Sequence, residues 1–295
     1  MTVTQSNLRR GAAALEWLFN PFRRTPVPEI YDLIATDAIS ESGLYLNLGD
    51  WRGADSVDAA CTALVDRIGH AAGLGPGDDV VDVGFGFGDQ DIRWAQVFEP
   101  ARITGFNITR SQVERARERV AAVGLADRVD LRAGSATGMP LPDASADKVL
   151  ALECAFHFDT RAAFLHEAGR VLRPGGRLVL GDIIPARPDP RPARRAAQRA
   201  GWAMTARIWG IPRGNADTPE SYRAKLRAAG FVNIRIESIR EDVFVPLHRY
   251  VTAHPELVRR YHPLLRLPFH VAKRADPERL YSGLDYVLVS AEKPA

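Results

Sequence analysis

Lysine is nearly missing from this chain. Only Lys148, Lys225, Lys273 and Lys293 occur, so the formal net charge of +3 is carried by arginine. That bias follows genome composition more readily than function, and a mildly basic balance does not by itself make a nucleic-acid binder. Cysteine is as scarce. Cys61 and Cys154 lie far apart without metal-ligand spacing and read as reduced thiols of a cytoplasmic protein. No apolar run approaches the ~18 residues of a membrane span, and Met1–Arg10 has no apolar stretch of the secretory type. No G-x-x-x-x-G-K-[ST] occurs, which excludes a Walker-type phosphate loop. No Asn/Asp-Pro-Pro-Tyr motif is present either, and the arginines of 187–199 are not interleaved with aromatics for base stacking. RNA modification and RNA binding are therefore weak readings, and the expected partner is a small molecule.

What is present is an ordinary globular composition, 46% hydrophobic and 25% charged over 295 residues. One stretch says more than the rest: Val80-Val-Asp-Val-Gly-Phe-Gly-Phe-Gly-Asp89. A β-branched run ends at Asp82 and is followed by Gly84, Gly86 and Gly88 at alternate positions. Such glycines permit sharp turns and let a ligand lie against the main chain. A strand that feeds a helix through this loop points to a nucleotide cofactor. The spacing is G-x-G-x-G, not the G-x-G-x-x-G of dinucleotide sites. The plainer alternative is an ordinary strand-to-helix turn.

Downstream, apolar runs alternate with amphipathic stretches, the βαβ signature of an α/β protein. Strands are expected at Val80–Val83, Arg102–Asn107, Val129–Ala133, Lys148–Glu153, Arg177–Asp182, Val232–Ser238 and Tyr286–Ala291. Helices are expected at Gln90–Phe98, Ser111–Val123 and Arg161–Leu172, and from Thr218 to Gly230. Residues 1–70 read as a helical N-terminal lid, and 71–295 as the core. Within the core, the Pro/Arg-rich segment 186–217 reads as a cap, because Trp202 and Trp209 argue that part of it packs.

The glycine loop with Asp82 resembles motif I of class I S-adenosylmethionine (SAM) methyltransferases, a likeness strong over about Asp79–Asp182. It implies a Rossmann-like seven-stranded sheet. Leu44-Tyr-Leu-Asn-Leu-Gly-Asp-Trp51, Gly181-Asp-Ile-Ile-Pro185 and Glu220–Phe231 extend it toward the erythromycin-type macrolide and rebeccamycin-type sugar O-methyltransferases of natural-product biosynthesis. The resemblance implies that Gly84, Gly86 and Gly88 bring backbone N–H groups to the cofactor and that Asp82 lies near its amino group. Tyr45 and Trp51 would close over it. Asn107, with Ile108, stands where the family usually carries a ribose-binding carboxylate, and Gln112 follows in the next helix. Asn accepts without the strength of a charged partner. Ser135 and Ala136 would hold adenine, and Glu153 the methionine portion.

In Ala151-Leu-Glu-Cys-Ala-Phe-His157 the same resemblance places His157 over the methyl group. An acceptor hydroxyl needs a base that titrates near working pH, which histidine supplies. Asp182 would accompany it as the orienting carboxylate. The competing reading of His157 is a histidine packed between Phe156 and Phe158. The implied reaction is O-methylation of a secondary metabolite, leaving S-adenosylhomocysteine. The alternative is C- or N-methylation of a prenyl diphosphate, indole or unsaturated lipid. Phe156, Phe158, Trp202, Trp209 and Glu153 would then stabilise a cation, and the arginines of 187–199 would hold a diphosphate. Some sugar O-methyltransferases use Mg²⁺, for which no ligand cluster stands out here. Trp17, Phe19 and Phe22 suggest a homo-oligomer contact through the N-terminal segment.

Overall fold

In the computed structural model, residues 13, 15–17, 20, 25–34, 40–259, 266, 270 and 272–295 are described. Seven strands form one sheet: β1 (Asp79–Val83), β2 (Arg102–Asn107), β3 (Val129–Ala133), β4 (Ala146–Leu152), β5 (Leu172–Pro185), β6 (Val232–Ser238) and β7 (Leu284–Glu292). Their order is β3-β2-β1-β4-β5-β7-β6. The first five run parallel, and β7 enters antiparallel between β5 and β6. The direction of winding reverses between β1 and β4, so a crevice opens at their carboxyl ends.

Alternation along each strand decides which side chain meets which layer. Val80, Leu150, Leu152 and Val179 belong to one core. It also holds Leu64, Val65 and Ile68 of helix α2 (Val57–Ala72), Trp94 of α3 (Asp89–Val97) and Val113 of α4 (Arg110–Ala122). Val81, Val83, Val149, Ala151, Leu178 and Leu180 belong to the other. There they meet Phe164 and Leu165 of α5 (Arg161–Val171) and Tyr222 and Leu226 of α7 (Pro219–Ala228). Each fully buried Leu or Phe contributes about 2 kcal/mol. Local chemistry fixes the ends. Ser56 caps α2, which closes on Gly73 in the left-handed region, and Thr218 and Ser221 form a reciprocal capping box on α7.

The segments read as lid and cap both carry helices. Helix α1 (Val27–Ile34) precedes the segment 44–48, which crosses the glycine loop. Helix α2 runs through the boundary expected at residue 70 and buries its apolar face against the sheet. The cap contains a 17-residue helix, α6 (Pro192–Ile208), with Pro at its start. The described residues that follow include helices α8 (Arg240–Ala253), which carries Pro246 within it, α9 (Pro255–Arg259) and α10 (Pro277–Leu280). Trp17 is buried, and its indole N–H donates to the Ile208 carbonyl at 2.7 Å. It thus packs on its own cap helix, whereas Phe19 and Phe22 lie outside the described residues.

Candidate active site

Above the carboxyl ends of β1, β2 and β4 lies a cleft of about 250 Å³, near the lower end of the size of small-molecule sites. Its floor is the loop after β1. Gly84, Gly86 and Gly88 have φ of 74°, 58° and 81°, so every second residue is left-handed, and only glycine takes that pattern without strain. Gly84 has a second reason: a Cβ there would overlap the Cys154 side chain. Gly84→Ala is therefore expected to cost about 2–4 kcal/mol from the two effects together. Calorimetry should show SAM binding weakened at least tenfold; unchanged affinity would contradict a cradle role for this loop.

The segment after α1 closes the cleft from above. Leu44 N–H donates to the Asp89 carboxylate at 3.1 Å, and Leu48 N–H to Glu153 Oε1 at 2.6 Å. Tyr45 lines the cleft, its hydroxyl taking a bond from Thr62 at 3.2 Å. Asn107, Ile108, Gln112, Ser135, Ala136 and Glu153 line the same space. The neutral residue at 107 has a local explanation. Asn107 Nδ2 donates to Gln112 Oε1 at 2.9 Å and to the Gly86 carbonyl at 3.4 Å, bonds a carboxylate cannot make. Ser135 Oγ lies 2.9 Å from Thr137 Oγ1 and shapes the far end. Glu153 sits at φ 53°, and its Oε1 also takes the Tyr286 hydroxyl at 2.9 Å. Burial pushes its carboxyl up to about 8, so it holds its proton at neutral pH. A Gly-rich cradle with amide, hydroxyl and carboxyl groups along its length fits the polar cofactor that the sequence implied.

Four expected residues are not brought to this surface. Asp82 has the strand parity of Val80 and lies buried below the loop, where Gln90 Nε2 donates to it at 2.7 Å. Burial pushes it up to about 7 and raises its neighbour Asp91 as well; two such carboxyls do not both ionise there. Gly88 faces Ala116 and Leu131. Trp51 packs at a tilt against Tyr250, with ring centroids 4.8 Å apart, and its indole donates to the Leu48 carbonyl. Asp182 has the parity of Leu180 and Ile184, which turns it toward α5 and α7. It takes Arg161 Nε and the Tyr222 hydroxyl, each at 2.9 Å, and among the described residues these, not His157, are its side-chain hydrogen-bond partners. The expected orienting carboxylate is thus a structural anion.

His157 has a different neighbour. His157 ends the 3-10 turn Ala155–His157 after β4, and its Nε2 lies 3.1 Å from the hydroxyl of Tyr31 on α1. Both residues are half-buried and line the cleft. Burial pulls His157 down to about 3, the Trp209 main chain opposing in part, so the imidazole is neutral at working pH and, contrary to the expectation from sequence, does not titrate near it. Burial raises the Tyr31 phenol well above its ordinary value, so it stays protonated. Nδ1 has no hydrogen-bond partner among the described residues. Phe156 packs on the ring, centroids 4.3 Å apart, so the packed-histidine reading is also realised in part. Tyr31 went unread because Val-Pro-Glu-Ile-Tyr-Asp carries no motif and its partner is 126 positions away. Among the described residues no three His, Cys, Asp or Glu side chains cluster as metal ligands.

Comparison with known proteins agrees with this geometry. A methyltransferase-domain family model matches residues 81–180. Erythromycin 3''-O-methyltransferase of Saccharopolyspora erythraea is 36% identical over 277 residues, covering 90% of this chain and 89% of that one. The 27-O-demethylrifamycin SV methyltransferase of Amycolatopsis mediterranei is 32% identical and covers 90% and 95%. Among solved structures, the cyclopropane synthase MmaA2 of Mycobacterium tuberculosis superposes with TM-score 0.73 at 16% identity, over 91% of this chain and 99% of that one. At that identity the last likeness speaks for the fold. The glycine cradle, the sheet order and relatives matched over nine-tenths of the length place the chain in the family of class I SAM-dependent methyltransferases.

Proposed function

We propose that the protein O-methylates a hydroxyl of a small secondary metabolite of macrolide or glycoside type in the cytoplasm, with His157 as general base. The observation that carries this is the 3.1 Å approach of a hydroxyl, that of Tyr31, to the Nε2 of a neutral imidazole lining the cofactor cleft. It supports the view that a hydroxyl is accommodated at hydrogen-bond distance from an imidazole nitrogen that carries no proton at working pH. When bound, SAM supplies an electrophilic sulfonium methyl group. Gly84, Gly86, Asn107, Gln112, Ser135 and Glu153 would hold it. The Tyr31 hydroxyl donates to the single Nε2 lone pair, in the tautomer with its proton on Nδ1, so the acceptor's proton passes to the Tyr31 oxygen as Tyr31 gives its own to Nε2. The segment 44–48 and α1 cover the cleft and keep water from competing with the acceptor. Both cysteines are buried free thiols, in keeping with a reducing compartment. Among the described residues no helix is long and apolar enough to cross a membrane.

Two relatives, named as an erythromycin 3''-O-methyltransferase and a 27-O-demethylrifamycin SV methyltransferase, support the substrate class. The arginines that a diphosphate acceptor would need lie off the cleft. Arg195 bonds the Asp189 and Pro190 carbonyls, and Arg194 faces Asp189 at 3.9 Å. A screen with labelled SAM over macrolide, glycoside, prenyl diphosphate and indole acceptors should give turnover with the first two classes. Turnover confined to the last two would overturn the proposal.

Tyr31→Phe keeps the ring and removes the bond to Nε2. With one hydrogen bond worth about 1 kcal/mol, kcat is expected to fall roughly fivefold with SAM affinity unchanged. A kcat at or above that of the parent would show that Tyr31 blocks the base instead of orienting it.

A further inference from the structure

Asn215 ends the 3-10 turn Arg213–Asn215 that joins the cap to α7, and it is completely buried. Its Nδ2 donates to the Phe156 carbonyl at 3.0 Å and to the Phe158 carbonyl at 2.7 Å. Its Oδ1 accepts from the Arg161 N–H at 2.8 Å, and its own carbonyl from Arg161 Nη1 at 2.7 Å. These partners fix the amide's orientation, because two carbonyls demand the NH₂ and a peptide N–H demands the oxygen. Asparagine alone meets the pattern. Aspartate has no proton for the carbonyls, and alanine leaves both without a partner.

The two carbonyls belong to the residues on either side of His157. The His157 N–H is itself spent on the Cys154 carbonyl at 2.9 Å. The main chain under the imidazole is therefore clamped from both sides by a side chain that touches neither the ring nor the cleft. Its source is the end of the cap, a segment nearly sixty positions downstream.

We infer that Asn215 is a positioning residue for methyl transfer, holding His157 at the acceptor through the Phe156 and Phe158 carbonyls and tying the base to the cap. This rests on the reading of His157 as the base. A displacement of about 1 Å of a catalytic group costs on the order of 100-fold in rate, so the clamp is expected to appear in kcat and not in cofactor binding.

The test is a double-mutant cycle on the full chain, read by labelled-methyl transfer to whichever acceptor turns over, with SAM affinity by calorimetry. Asn215→Ala should lower kcat about 10–100-fold, leave acceptor KM and SAM affinity within about threefold, and have no further effect in a His157→Ala background. The same fold-loss in both backgrounds, or an unchanged kcat, would overturn the positioning role. Full activity of His157→Ala alone would instead remove the base reading on which it rests. Should the alanine variant fail to bind SAM, Asn215→Ser keeps one donor and is read in the same cycle with the same criteria. Its kcat should then lie between those of the parent and His157→Ala.

Discussion

Replacing His157 with alanine is expected to lower kcat by about 10²–10⁴-fold, the range for loss of a general base, while SAM affinity changes less than about twofold. The asymmetry follows from position. The imidazole lies in the cleft beside Tyr31, whereas the cradle of Gly84 and Gly86 and the amides of Asn107 and Gln112 are left intact. Because burial holds the imidazole near pKa 3, the basic form is already complete at pH 5. The profile of kcat/KM, which reports the free enzyme, should therefore show no acid limb near 6.5. A limb there would mean that His157 is solvated before the acceptor arrives. Stability carries the opposite signatures of two buried groups. The depressed His157 stabilises fully above about pH 6.5, and that contribution is lost as pH falls toward 3. Glu153, raised to about 8, stabilises fully below about pH 4.5 and loses its contribution as pH rises through 8.

The second large effect concerns the buried ion cluster. Arg161 is 0% exposed and binds Asp182 at 2.9 Å and Asp217 at 2.5 Å, with Tyr222 stacked 4.6 Å from its guanidinium. Arg161→Met keeps the apolar stem and strips Asp182 of its cation. An unpaired buried charge of this kind costs about 3–5 kcal/mol, on the order of 10 °C in melting temperature for a chain of this size. Removing the exposed partner Asp143 from Arg170 should by contrast cost under about 1 kcal/mol, because solvent screens that pair. A shift of less than about 2 °C for Arg161→Met would show that the cluster does not hold β5, α5 and α7 together.

The legible parts of the sequence were those with a local physical signal. The period-two strands and the glycine loop appear as read, because alternation and left-handed turns are set by near neighbours. Strand β5 runs from Leu172 to Pro185, beyond the expected 177–182, because Pro174-Gly175-Gly176 bends an extended chain as well as stopping a helix. Helix α8 stayed hidden behind Pro246, and α6 behind the Pro/Arg composition of the cap. Cleft residues adjacent to motifs were legible; Tyr31 and Asn215 were not, since each acts on a residue far away in the chain. Asp182 was legible in a way that was not used. Its parity with Leu180 and Ile184 already turned it toward the layer of Tyr222. The same parity argument put Asp82 with Val80, beneath the loop and away from the cleft.

The central claim is methyl transfer to oxygen, and the position of the label tests it most directly. With SAM carrying a ¹³C-methyl group and a macrolide or glycoside acceptor, product NMR should show the label as a single methoxyl carbon. Label on carbon or nitrogen, or no labelled product from any acceptor while SAM binds normally, would contradict the account.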